Sequence, residues 1–239
     1  MLWRRIGLSL ILVALAVSVS TAQTRRTSRT TTRPATQTSA ADLNGGLRDL
    51  LSGSYTQAVR NLGRDGGFLN NVRVKIPVPQ KLRPVEKTLR ALGRGPAVDD
   101  FIAAMNHAAE RAVPEALSIF ADSVKQMTFS DARSIVSGSD DAATQFFRRT
   151  SEDRLRDKFR PIVERFTAQT GVTAQYKNMM TKAGPLARLG GADANDLDGY
   201  VTNRALDGLF LLMADEEKRI RENPAARATD LLKIIFGRC

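Results

Sequence analysis

Residues 96–113, PAVDDFIAAMNHAAERAV, carry the clearest hydrophobic periodicity in the chain. Val98, Phe101, Ile102, Met105, Ala109 and Ala112 fall on one stripe of a helix, while Asp99, Asp100, His107 and Glu110 lie opposite. A stripe of this kind needs cover from other apolar surface, and the flanking sequence supplies it in the same period. Pro114 suits the first turn of a following helix whose stripe is Leu117, Phe120, Val124 and Met127. Upstream, residues 81–92 align Val85, Leu89 and Leu92, and residues 43–62 place leucines at 43, 47, 50, 51 and 62.

Downstream the pattern continues. Ser130 and Asp140 are the expected caps of two short helices, 131–136 and 141–149, and Ser151 that of a helix over 152–167, with Pro161 kinking it. Residues 172–182 read as a weaker helix and 184–195 as loop. Asp196 then caps the longest helix, 197–222, which is apolar nearly all round between Leu206 and Met213 and so belongs at the centre. Its charged end offers the pairs Asp215–Arg219 and Glu217–Arg221. Asn223 and Pro224 open a last helix. No stretch alternates like a strand, so the fold class is all-α, a single-domain multi-helix bundle. One irregular segment interrupts it: Lys75-Ile76-Pro77-Val78-Pro79 must run extended, because its prolines exclude a helix throughout and lack donors for a central strand. Ile76 and Val78 are expected to press onto residues 205–213, leaving Lys75 and Gln80 wet.

The first 22 residues have the layout of a secretory signal peptide. Arg4 and Arg5 precede an apolar run over 6–19, and Ser20, Thr21 and Ala22 follow as small side chains, with cleavage expected after Ala22. The run is shorter than the roughly twenty residues a membrane span requires. Residues 23–41, rich in Thr, Ser and Arg and without a large apolar side chain, read as a disordered basic linker. The helical domain is then residues 42–239. The whole chain carries a formal charge of +11, of which Arg25, Arg26, Arg29 and Arg33 concentrate four charges on the linker. Such a tail either solvates the domain or makes weak contact with an anionic membrane surface. Export argues against a nucleic-acid partner. Cys239 is the single cysteine, so the core, rather than an internal disulfide, must hold the domain.

Four strings, DGGFLNNVRVKIPVP (65–79), AMNHAAERAVPE (104–115), DDAATQFFRRT (140–150) and YVTNRALDGLF (200–210), together resemble an exported bacterial family, domain-of-unknown-function family forty-one ninety-seven. The resemblance spans nearly the whole body in order. It implies an all-helical domain in the envelope of Gram-negative bacteria and carries no activity with it. At His107 the family tends to have arginine, a departure that counts against a catalytic role for this histidine.

Each candidate site has a structural reading beside the functional one. His107 is expected as a solvated surface histidine near Asp100 and Arg111 rather than a base or ligand. Residues 193–199, DANDLDG, are rich in oxygen ligands but fail the spacing of a calcium loop, so no metal is expected. Arg148, Arg149, Arg154, Arg156, Lys158, Arg160 and Arg165 could grip phosphate or lipid headgroups, but Asp153, Asp157 and Glu164 can neutralise them as a salt-bridged face. Asp140, Asp141, Asp207 and residues 215–217 could supply a carboxylate pair for acid–base work, although capping and ion pairing account for each. No phosphate-binding loop is present, and no cofactor is expected. The expected function is a non-enzymatic binding or interaction module of the periplasm, its partner an envelope protein or an apolar ligand. The alternative is a carboxylate-based hydrolase acting on a cell-wall or glycan substrate.

Overall fold

Helices α1 (Ala40–Leu62), α2 (Arg83–Ala91), α3 (Gly95–Ala112), α4 (Ala116–Gln126), α5 (Phe129–Val136), α6 (Ala142–Gln169) and α7 (Leu197–Glu222) carry the fold, joined in part by 3₁₀ turns at Gln80–Leu82 and Val113–Glu115. The computed structural model describes residues 40–172, 174 and 196–223. The expected signal peptide, nearly all of the basic linker, the loop 184–195 and the last helix lie outside the described residues, as does most of the helix expected at 172–182. Among the described residues no strand occurs, and the domain is an all-α bundle.

Most of the α3 stripe is buried as its spacing requires: Val98, Phe101, Met105, Ala109 and Ala112 lie in the core, and Ile102 is half-buried at its edge. Helices α3, α4, α5 and α7 all pack on α6, and α1 covers α4, α5 and α7. Where they meet, aromatic rings interlock. Phe120 and Phe147 have centroids 4.8 Å apart, with Tyr55 at 5.5 Å and Phe210 at 6.2 Å from Phe120. Tilted and edge-on contacts of this kind add to the burial of large apolar area.

Several local expectations are corrected by tertiary contacts. Ser130 is not a cap: α5 starts earlier, at Phe129, and Thr128 caps it. Thr128 Oγ1 accepts from the Asp131 N–H at 3.1 Å, and Asp131 Oδ2 accepts from the Thr128 N–H at 3.0 Å. Ser151 does not open a helix either. Helix α6 runs unbroken through it and through Pro161, because the buried Phe147, Leu155, Phe159 and Val163 continue one face across the expected break. The Ser151 hydroxyl is itself buried against Ser123 Oγ of α4, at 2.7 Å. Asp140 lies in the turn before α6, and Asp141 occupies the cap position without a side-chain cap bond. The first-turn N–H groups of α6 go instead to Glu217 of α7, whose Oε1 accepts from Ala143 and Oε2 from Thr144, each at 2.8 Å. Asp196 does cap α7, accepting from the Gly199 N–H at 2.8 Å. At the other end of α7 the Glu217–Arg221 pair forms, whereas Arg219 pairs with Glu216, and Asp215 reaches across to Arg73.

Candidate functional site

The prolines of residues 75–79 hold the chain extended after the turn at residues 72–74, and the side chains alternate accordingly. Val74, Ile76 and Val78 are buried, while Lys75 and Pro77 face outward. No neighbouring strand satisfies this strap; side chains of α3 and α7 do so instead. Asn106, fully buried, accepts from the Ile76 N–H at 2.8 Å and donates to the Ile76 carbonyl at 2.9 Å. Tyr200 donates its hydroxyl to the Pro77 carbonyl at 3.0 Å. Upstream, Glu110 Oε1 accepts from the Phe68 and Leu69 N–H groups at 2.9 and 3.1 Å, and its Oε2 lies 2.7 Å from His107 Nδ1. The strap's inner side meets α7 at Gly208, where a Cβ would lie 2.8 Å from Phe68 and 3.1 Å from Val74. Glycine thus leaves the room on α7 that the Phe68 and Val74 side chains occupy.

A groove runs along the outer side of the strap. One part, of about 580 Å³, is bounded by Arg73 beside the strap, by Lys75 and Pro77 of the strap, by Asp141, Thr144, Gln145 and Arg148 at the start of α6, and by Arg204, Asp207 and Leu211 of α7. A second part, of about 450 Å³, continues past Pro79 and Lys81 to Tyr200 and Asn203, and shares Arg204 and Asp207 with the first. The α7 helix is thus not enclosed on all sides. Leu211, 38% exposed, and the exposed Asp207 form part of the groove wall.

Five cations line the two parts (Arg73, Lys75, Lys81, Arg148 and Arg204) against two carboxylates, Asp141 and Asp207. Arg73 is occupied by Asp215, whose hydrogen bonds hold the guanidinium above its ordinary pKa. Arg148 lies over the Phe210 ring at 4.7 Å, and Arg204 over the Tyr200 ring at 5.4 Å. Burial pushes the Tyr200 hydroxyl above its usual pKa, with Arg204 opposing. Hydrogen bonds from Ser139 and then Gln145 hold the Asp141 carboxyl below its ordinary range. It therefore stays ionised.

Of the candidates named from sequence, Arg148 enters this groove. Arg149 does not line it; its guanidinium lies 5.9 Å from the Phe146 ring, with Asp131 as a charged neighbour. Arg25, Arg26, Arg29 and Arg33 are outside the described residues. The rest of the α6 cluster contains ion pairs: Arg154 with Asp122, Arg156 with Glu152 and Asp153, and Arg160 with Glu164 and Asp196. His107 keeps its side chain 40% exposed, and its Nδ1 lies 2.7 Å from Glu110 Oε2. Among the carboxylates, Asp141 and Asp207 share the groove, Asp215 and Glu216 are in ion pairs, and Glu217 is sealed in the core. Asp198 accepts from Thr167 Oγ1 at 2.6 Å, and no group of three or more potential metal-binding side chains comes together among the described residues.

The sequence does not single out Asn106, Glu110, Lys75 or Arg204 as functional or pinning residues, and it offers Glu217 as a candidate acid–base carboxylate rather than as a cap. Asn106 gave a signal in being i+4 from Ile102 on the edge of an apolar stripe, and Arg204 in following Tyr200 by one turn. Strings 65–79, 104–115 and 200–210 supply the strap and its three pins, so the resemblance read in those strings tracks one structural unit. The chain belongs to DUF4197. That family, described as a protein of unknown function, matches residues 37–237. No curated protein and no solved structure matches the chain. In this DUF4197 domain the string 140–150 adds the remaining wall of the groove, through Asp141, Thr144, Gln145 and Arg148.

Proposed function

We propose that this DUF4197 chain is a non-enzymatic binding module of the bacterial envelope, exported by its first 22 residues, with the groove beside the strap as its recognition surface. The observation that carries this reading is the commitment of buried polar side chains to one loop. Glu110 and Asn106, each buried, hold five backbone groups between them, four in residues 68–76 and one at Ile102. A wall held this firmly loses little conformational entropy when a partner binds, which is how pre-organisation raises affinity. The tip of the same loop presents Val72, 93% exposed, next to Arg73. A lining that carries five cations suits an envelope protein better than a wholly apolar ligand.

Photo-crosslinking tests the proposal. A crosslinker at Asn203 or Leu211 should give adducts in cells, while one at the exposed Gln126 of α4 should not. Equal labelling from both faces would reject the groove as the binding surface. Fractionation with N-terminal sequencing tests export, the expected mature chain starting at Gln23.

The second reading is a carboxylate-based hydrolase of cell-wall or glycan substrates, and the observation favouring it is that Asp141 and Asp207 line the same groove. A general acid needs its pKa raised toward the working pH, whereas Asp141 is pushed down. This chemistry therefore rests on Asp207. Release of reducing ends from peptidoglycan, abolished by Asp207→Asn, would establish the hydrolase over the binding module.

A further inference from the structure

We infer that the groove docks an acidic peptide segment of a partner protein, held extended along the strap; this rests on the groove being the binding surface proposed above. The lining carries more cations than carboxylates, five against two. Along α6, Arg156 reaches Glu152 and Asp153 at 3.0 Å, and Arg160 reaches Glu164 at 2.8 Å and Asp196 at 2.9 Å. Arg148, on the same helix but in the groove, is no closer than 3.8 Å to a carboxylate oxygen of Asp207 and 4.0 Å to one of Glu152. It also lies over the Phe210 ring, and Arg204 over the Tyr200 ring while interacting with the Tyr200 hydroxyl, so each guanidinium is held in place beside a ring. Lys75 and Lys81, both exposed, form no ion pair among the described residues. An excess of positioned cations along one groove suits an anionic ligand.

The carboxylates in the groove decide what kind. Asp141 and Asp207 are spaced among the cations and would repel a densely charged polyphosphate or a continuous anionic surface. A peptide can place its acidic side chains at Lys75, Arg148 and Arg204 and an apolar one on Leu211 and Pro77. The extended strap over residues 75–79 spans about 16 Å at roughly 3.3 Å per residue, room for about five extended residues. Strand addition is not the mode. Pro77 and Pro79 offer no donor, and both polar groups of Ile76 are taken by Asn106. Recognition therefore depends on side-chain charge.

Fluorescence anisotropy of the full chain with a labelled dodecapeptide, three repeats of Glu-Leu-Asp-Gly, tests this against its amide counterpart, Gln-Leu-Asn-Gly. At about 0.01 M salt, where the Debye length is about 30 Å, the acidic peptide should bind at least about tenfold more tightly, and at about 0.15 M the preference should shrink. The double variant Lys75→Glu and Arg204→Glu should lose at least about tenfold in affinity. The control double Lys158→Glu and Arg165→Glu, with the same charge change on α6 outside the groove lining, should stay within about twofold. Unchanged melting temperatures show that both doubles are folded. Equal weakening by the two doubles, or equal binding of the amide peptide, overturns the inference. So does binding to phosphatidylglycerol vesicles through Lys75 and Arg204 without a preference for the acidic peptide, an outcome that leaves the groove standing as a binding surface. Loss of groove-specific crosslinks removes the surface itself.

Discussion

Asn106 satisfies both backbone polar groups of Ile76, accepting from its N–H at 2.8 Å and donating to its carbonyl at 2.9 Å, so one side-chain amide on α3 does the work of a neighbouring strand. The same amide donates to the Ile102 carbonyl one turn back, at 2.8 Å, which fixes its orientation. Asn106→Leu leaves an N–H and a carbonyl of the strap unsatisfied in the core. The expected loss is about 2–4 kcal/mol, read as a lower urea midpoint. A change below about 0.5 kcal/mol would show that water or a shifted strap replaces the amide.

Ile76 itself is fully buried. Ile76→Asp should cost about 2–4 kcal/mol, because a carboxylate would enter an apolar contact. In a domain of this size that corresponds to a fall in melting temperature of the order of 4–16 °C. An unchanged melting temperature would mean that this stretch is a docking strip exposed in solution.

Gly208 tests the strap from the opposite side. Alanine ordinarily favours a helix over glycine by about 1 kcal/mol, but here its Cβ would lie 2.8 Å from the ring of Phe68 and 3.1 Å from Val74. Gly208→Ala should therefore destabilise, by about 1–3 kcal/mol. Thermal melts decide the sign; a stabilised variant would show that the strap does not press on α7.

Glu217 caps α6 from 73 and 74 residues away and is paired with Arg221 inside the core. Glu217→Ala should cost about 3–5 kcal/mol, since it leaves the Arg221 charge and two helix N–H groups without this partner. Amide exchange at Ala143 and Thr144 should accelerate together. Exchange rates equal to those of the parent would mean that the α6 terminus is capped by its own turn.

The Thr128–Asp131 box gives a pH dependence with a definite sign. Hydrogen bonds from the Thr128 hydroxyl and then its backbone N–H hold the Asp131 carboxyl below its ordinary pKa. A lowered folded value means the stabilisation is complete above the unfolded pKa, about 3.9, and is lost as the pH falls through the lower folded value. Asp131→Asn should therefore reduce the stability gap between pH 6 and pH 3 (both approximate working values) that the parent shows in urea titrations. An identical acid dependence in parent and variant would remove Asp131 as a contributor.

The limits of sequence reading lie at the helix ends and at single polar residues. Ser130 and Ser151 were reasonable caps by residue type. Thr128 nevertheless captures α5, because Asp131 completes a reciprocal pair with it. Ser151 is carried through α6 because the apolar face of Phe147, Leu155 and Phe159 must stay continuous against the core. Arg148 was seen as a candidate cation, yet nothing in residues 140–150 reveals that Phe210 and Arg204 of α7 share its groove.

The sequence by itself determined the all-α class, the buried stripe of α3, the extended course of residues 75–79 and the cap at Asp196, because each depends on periodicity or backbone chemistry within a few residues. Only the tertiary structure decided which carboxylates are structural. By sequence, Glu110 reads as a polar-face residue and Glu217 as an ion-pair partner of Arg221. Both are buried because the N–H groups of Phe68, Leu69, Ala143 and Thr144 come within about 3 Å of them. A buried carboxylate persists where donors converge on it, and that convergence joins residues 41 to 74 positions apart, a separation no local pattern records.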